Sequence, residues 1–79
     1  MNLSEYVPAV GPPDSYVGQR RQVMTDERWR WLWRRHKQRF VESGAAVLIG
    51  GQVHVHPART DGVILDLGRE LAARHAEAA

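Results

Sequence analysis

The sequence predicts a small α+β domain on three observations: an apolar stripe at helical spacing across positions 29–40, two β-rich runs joined by Gly50-Gly51, and a second helical pattern after Pro57. At 79 residues the chain holds one domain with a thin core, which keeps a homo-oligomer among the expectations.

Residues 1–24 contain Pro8, Gly11, Pro12 and Pro13 and show no sustained period. They read as an extended N-terminal arm, with Asp14-Ser15 as the cap of a short helix at 14–20, ahead of a folded winged-helix-like unit at 25–79. The basic helix opens at Thr25, a good N-cap, and Asp26 and Glu27 suit the positive end of its dipole. It is expected to run to about Ser43 and to stop at Gly44. Trp29, Leu32, Trp33, His36 and Phe40 recur at i, i+3, i+4, i+7 and i+11, the spacing of a core-facing stripe.

The runs 46–49 and 52–56 read as a two-stranded hairpin, because Gly-Gly supplies the positive φ angles of a two-residue turn. Ala46, Leu48, Val53 and Val55 then share the face expected to be buried, and Val47, Ile49, Gln52, His54 and His56 take the other. Pro57 ends the strand and suits the first turn of a helix. Ile64, Leu67, Gly68, Leu71 and Ala72 follow at helical spacing, and the tail 76–79 is expected to fray.

The net charge is +2, yet eight of the eleven basic residues (Arg20, Arg21, Arg28, Arg30, Arg34, Arg35, Lys37, Arg39) fall at 20–39 against only Asp26 and Glu27. A single-sign patch of that kind favours a polyanionic partner. Its ordinary alternative is a solvated helix face. Trp31 falls opposite the apolar stripe, beside Arg34, Arg35 and Gln38. An indole placed there either stacks on neighbouring arginines for structural reasons or touches a sugar, base or partner.

Other chemistries find little support. There is no cysteine, so disulfides and thiolate metal sites are excluded, consistent with a reducing compartment. His54 and His56 make an H-x-H pair, but the remaining histidines, His36 and His75, lie on two different helices, so no metal site is expected. The acids are scattered, no nucleophile-base-acid set is suggested, and no glycine loop precedes a phosphate-binding lysine, so neither an enzyme nor a cofactor is expected. The N-terminus lacks a basic and apolar leader, and no run approaches the roughly 20 apolar residues of a span. A soluble, cytoplasmic protein that does not bind membranes is the expectation.

The order helix, glycine-tipped hairpin, helix, with the stretch FVESGAAVLIGGQVHVHP at 40–57, resembles the small excisionase-like winged-helix proteins of phages and mobile elements. The resemblance covers roughly residues 25–70. It implies a DNA-binding module whose basic helix enters the major groove, through Arg28, Trp31, Arg34, Arg35 and Gln38, and whose wing tip at Gly50, Gly51 and Gln52 touches the backbone or minor groove.

From residues and resemblance together, the candidate nucleic-acid-binding set is Arg28, Arg30, Trp31, Arg34, Arg35, Gln38, Arg39 and Gln52, with Arg20 and Arg21 as auxiliaries on the arm. Duplex DNA is the expected partner, for a transcriptional regulator or an excisionase-type recombination factor. A small interaction factor that docks its Arg/Trp face on an acidic host protein is the alternative, since Trp and Arg also dominate interface hot spots. RNA is a third reading.

Overall fold

The computed structural model describes residues 2–78 and shows two helices against a small antiparallel sheet. The strands β1 (Val7–Pro8), β2 (Ala46–Ile49) and β3 (Gln52–Val55) lie in the order β1-β3-β2. The helices are α1 (Asp26–Glu42) and α2 (Pro57–Ala78), and short 3-10 turns occur at Leu3–Glu5 and Gly18–Arg20. The α+β class therefore holds, with a third strand that the sequence did not announce.

Local chemistry sets the ends of α1. The Thr25 hydroxyl accepts the Arg28 N–H at 3.1 Å, with Asp26 and Glu27 in the first turn. At the other end the Gly44 N–H reaches the Val41 carbonyl (3.1 Å) and the Ala45 N–H reaches the Phe40 carbonyl (2.9 Å), the paired bonds of a Schellman stop. Gly44 carries φ 76°, a conformation that other residues adopt at a cost. Gly44→Ala is therefore expected to destabilise by about 1 kcal/mol in a denaturant melt, and an unchanged midpoint would contradict this account of the helix end.

The hairpin has the expected register, with Ala46 opposite Val55 and Ile49 opposite Gln52. Gly50 and Gly51 take φ 57° and 82°, as a turn with two positive φ angles requires. Ala46 and Val55 are buried as expected, but Leu48 on the same face is 67% exposed. The pleat puts these residues on one side; the tip simply projects past the core.

The N-terminal residues are not a detached arm. β1 pairs with β3 (Val7 opposite Val55), and the Ala9 N–H donates to the Val53 carbonyl at 3.1 Å. The chain then loops back, the Tyr16 and Val17 N–H groups donating to the Pro8 and Ala9 carbonyls at 2.9 and 3.0 Å. Tyr6, Ala9, Tyr16, Val17 and Met24 are buried, Ser15 is buried with its hydroxyl accepting the Gly18 N–H, and the Tyr6 hydroxyl donates to the Gly44 carbonyl at 2.7 Å. The short helix expected at 14–20 is reduced to the 3-10 turn Gly18–Arg20.

This segment is tied to α2 through Asp61. Its carboxylate accepts the Tyr16 hydroxyl at 2.6 Å and Arg20 Nε at 2.9 Å, and the Arg20 guanidinium lies 4.0 Å from the Tyr16 ring centre. Burial, then the Asp61 bond and charge, push the Tyr16 hydroxyl well above its ordinary 10.0, against the opposing Arg20 charge. For Asp61, burial works upward, but the bonds from Arg20 and Tyr16 and the Arg20 charge outweigh it and hold the carboxyl below 3.8. The raised Tyr16 value means its contribution to stability is intact below about pH 10 and is lost as pH rises beyond that. The lowered Asp61 value means its contribution is intact above about pH 4 and is lost as pH falls below that. Denaturant midpoints across pH should thus show an alkaline decline that Tyr16→Phe blunts; an identical decline in that variant would contradict the coupling.

α1 is bent. His36 has φ −129° and ψ 25°, outside the helical region, so the helix consists of two pieces meeting there. Residues eleven apart in a straight helix are separated by about 16.5 Å along the axis, yet the Trp29 and Phe40 rings lie 5.3 Å apart. The bend closes these two buried rings on each other, with Trp33 against both. It also takes His36 off the expected core stripe and sets its ring 6.1 Å from Trp31, edge to face. Neither proline nor glycine occurs in Asp26–Glu42, so tertiary closure carries the bend rather than a local breaker.

α2 buries Thr60, Val63 and Leu67, with Ile64 partly packed on the core. Beyond that the helix overhangs: positions 68–77 are all exposed, including Gly68, Leu71 and Ala72 of the apolar repeat. Helical order continues to Ala78, through most of the tail expected to fray, and Ala79 lies outside the described residues.

Candidate nucleic-acid interface

The fold divides the arginines into two groups. Arg20 is held by Asp61; Arg39 reaches across to α2 and binds Glu70 at 2.7 and 2.9 Å; Arg21 lies 3.3 Å from Asp26. By contrast Arg28, Arg30, Arg34, Arg35 and Lys37 have no carboxylate within 4.0 Å among the described residues. All five belong to α1, four of them ahead of the bend at His36.

Trp31 sits among them, 46% exposed, where the N-terminal piece of α1 turns away from the core. The Arg35 guanidinium lies 5.5 Å from its ring centre, an i,i+4 pair on the exposed face. With the His36 edge on another side, the indole is held in one orientation while its remaining surface faces solvent. Lys37, past Arg35 at the bend, instead lies over Trp33 at 5.4 Å.

Three adjoining depressions surround this part of α1, and Arg34 lines all of them. The first, about 470 Å³, runs between α1 and the sheet and brings Arg30 and Arg34 together with Gln52 of β3. Its floor is apolar, from Trp29, Trp33, Ala9, Val10 and Val53. The second contains Arg28, Trp31 and Arg34; the third is bounded by Trp31, Arg34, Arg35 and His36. Glu27 borders the first two.

Of the ten residues singled out from sequence, the structure gathers Arg28, Arg30, Trp31, Arg34, Arg35 and Gln52 on one continuous surface. Arg28 also donates to the Val23 carbonyl at 3.1 Å. Gln38 lies beyond the bend and donates to Glu42 at 2.8 Å, while Arg20, Arg21 and Arg39 are engaged within the fold. The surface also includes Glu27, Val10 and Pro8, which sequence reasoning passed over. Glu27 was visible as an acid one turn before the arginines, whereas the N-terminal lining depends on the unannounced third strand.

His54 and His56 contact their own backbone surroundings, the His54 ring lying 3.2 Å from the Gln52 carbonyl. His56 Nδ1 accepts the Arg59 N–H at 3.2 Å at the start of α2, and its ring stands edge-on to Tyr6 at 5.6 Å. No group of three or more His, Asp or Glu residues able to hold a metal occurs among the described residues, nor is any described helix long and apolar enough to cross a membrane. No family model, curated protein or solved structure compared with the chain matches it.

Proposed function

We propose that the chain is a DNA-binding protein of winged-helix type, a transcriptional regulator or an excisionase-type recombination factor, that presents the exposed face of α1 to duplex DNA. One observation carries this reading: the fold neutralises Arg20, Arg21 and Arg39 with its own acids, while Arg28, Arg30, Arg34 and Arg35, around a half-exposed Trp31, have no carboxylate partner among the described residues. Cations kept clear of carboxylates retain their charge for a polyanion, and the release of condensed counterions supplies affinity. The piece of α1 ahead of the bend is an α-helix about 10–12 Å in diameter with its side chains, a width that a major groove of about 12 Å admits. Arg30 and Arg34 with Gln52 across the groove form a track for one phosphate strand. Arg35 and Arg28 border Trp31, which packs on sugar or a thymine methyl, and Glu27 can accept from cytosine N4. The hairpin tip serves as the wing.

The alternative, docking on an acidic protein, draws on the apolar floor provided by Trp29 and Trp33 in the first depression, which would seat an aromatic or aliphatic side chain. Fluorescence anisotropy with a labelled duplex, competed by single-stranded RNA and by an acidic polypeptide, separates these readings. The DNA reading expects unlabelled duplex to be the strongest competitor. Displacement by the polypeptide at lower concentration than by duplex would move the assignment to a protein partner.

A further inference from the structure

Beyond α1, the overhanging half of α2 carries a surface that its own fold does not use. At 100° per residue the buried side is marked by Thr60, Val63 and Leu67. The five charged residues of 66–77 occupy an arc that runs from Arg69, far round from the buried side, through Asp66, Glu77 and Glu70 to Arg74, beside it. Roughly 110° away around the helix runs a second stripe, Ile64, Leu65, Gly68, Leu71, Ala72 and Ala76, apolar between Asp61 at its start and His75 near its end. Leu65 is 61% exposed and Leu71 is 46% exposed, while Gly68, Ala72 and Ala76 are exposed as well. The helix is thus amphipathic in a direction that its own core does not explain.

Gly68 sits at the middle of the stripe. A helix-interior glycine weakens a helix relative to alanine and is retained where a backbone must come close. Nothing among the described residues comes close, for a Cβ built there meets no atom within 4 Å. The room beside Gly68 is open to a helix from outside.

We infer that two copies of this chain associate through α2, the helices crossing antiparallel at Gly68. The stripe is complementary to itself in that arrangement. A two-fold axis through Gly68 places Leu65 against the partner's Leu71, Ile64 against the partner's Ala72, and Asp61 beside the partner's His75. The Asp61 side chain, although bound to Arg20 and Tyr16, remains 44% exposed and offers a carboxylate to that imidazole. A two-fold contact of this type closes on itself and stops at a dimer. An anionic lipid surface fits the stripe poorly, because its flanks carry three acids against two arginines where such surfaces need cations. The paired region, residues 61–75, is about 21 Å long, a single-helix contact that forms at micromolar rather than nanomolar concentration.

Sedimentation equilibrium of the DNA-free protein tests this independently of the function of α1. Wild type is expected to pass from the 9.0 kDa monomer to twice that mass as concentration rises through the micromolar range. Leu65→Glu with Leu71→Glu should abolish the rise and leave the thermal melt by circular dichroism unchanged, because both side chains are exposed. Arg74→Ala, on the charged side away from the stripe, should dimerise like wild type. A monomer at all concentrations overturns the inference, and flotation of that monomer with lipid vesicles would assign the stripe to a membrane surface. A dimer of unchanged strength in the double variant also overturns it.

Discussion

Trp29→Ala is expected to lower the melting temperature by roughly 15–30 °C, while Trp31→Ala, two residues along the same helix, shifts it by only a few degrees. Trp29 is 3% exposed and lies within 5.3–6.1 Å, ring to ring, of Phe40, Tyr16 and Trp33. Removing a buried indole costs about 3–5 kcal/mol, against roughly 4–12 kcal/mol for a domain of this size. Its ring also holds the two pieces of α1 closed, so the bend should relax with it. Trp31 gives up exposed contacts with Arg35 and the edge of His36, together worth about 1 kcal/mol. Thermal melts by circular dichroism compare the two. Equal destabilisation would mean that Trp31 belongs to the core, and the assignment of its face to a partner would fall.

Replacing Arg34 and Arg35 together by alanine is expected to weaken duplex binding about a hundredfold at low salt, roughly tenfold for each charged side chain removed. The slope of log K against log salt should flatten by about 0.9 for each phosphate no longer bound. Neither side chain has a carboxylate partner within the described fold, so stability should not change. Arg20→Ala makes the converse control. It breaks the bonds to Asp61 and should lower stability while leaving the salt slope unaltered. Affinity unchanged in the double variant would contradict the central place given to Arg34, which borders all three depressions.

Features governed by local chemistry were legible in the sequence. Thr25 caps α1, Gly44 closes it, Gly50-Gly51 turns the hairpin in the expected register, and Pro57 opens α2. Periodicity correctly separated Trp29 and Phe40 from Trp31, because side-chain direction follows the helical repeat over short spans. It said nothing of where the core ends, which is why Leu48, on the face expected to be buried, and Leu71, in the apolar repeat of α2, are exposed. The third strand escaped because β1 is two residues long, one of them Pro8, and is defined by bonds to Val53 and Val55, more than forty positions away. The bend at His36 escaped for the same reason, being made by rings that meet only in the folded chain.

The site was half legible. Residue type and spacing placed the cationic helix and set Arg20 and Arg21 aside as auxiliaries, yet could not tell Arg39 from the arginines ahead of it. Which ones keep an available charge depends on Asp61 and Glu70, 41 and 31 positions from the arginines they bind. Gln52 was reached through the resemblance alone, and its place beside Arg30 and Arg34 follows from the way the sheet packs under α1.

The central claim, that the exposed face of α1 is a surface for duplex DNA, is tested most directly by titrating the tryptophan fluorescence with a random duplex at about 50 and 200 mM salt. Four phosphate contacts should lower affinity roughly a hundredfold between the two, and the fluorescence change should vanish in Trp31→Phe while Trp29 and Trp33 remain. Affinity indifferent to salt, or a signal undiminished without Trp31, would contradict the claim.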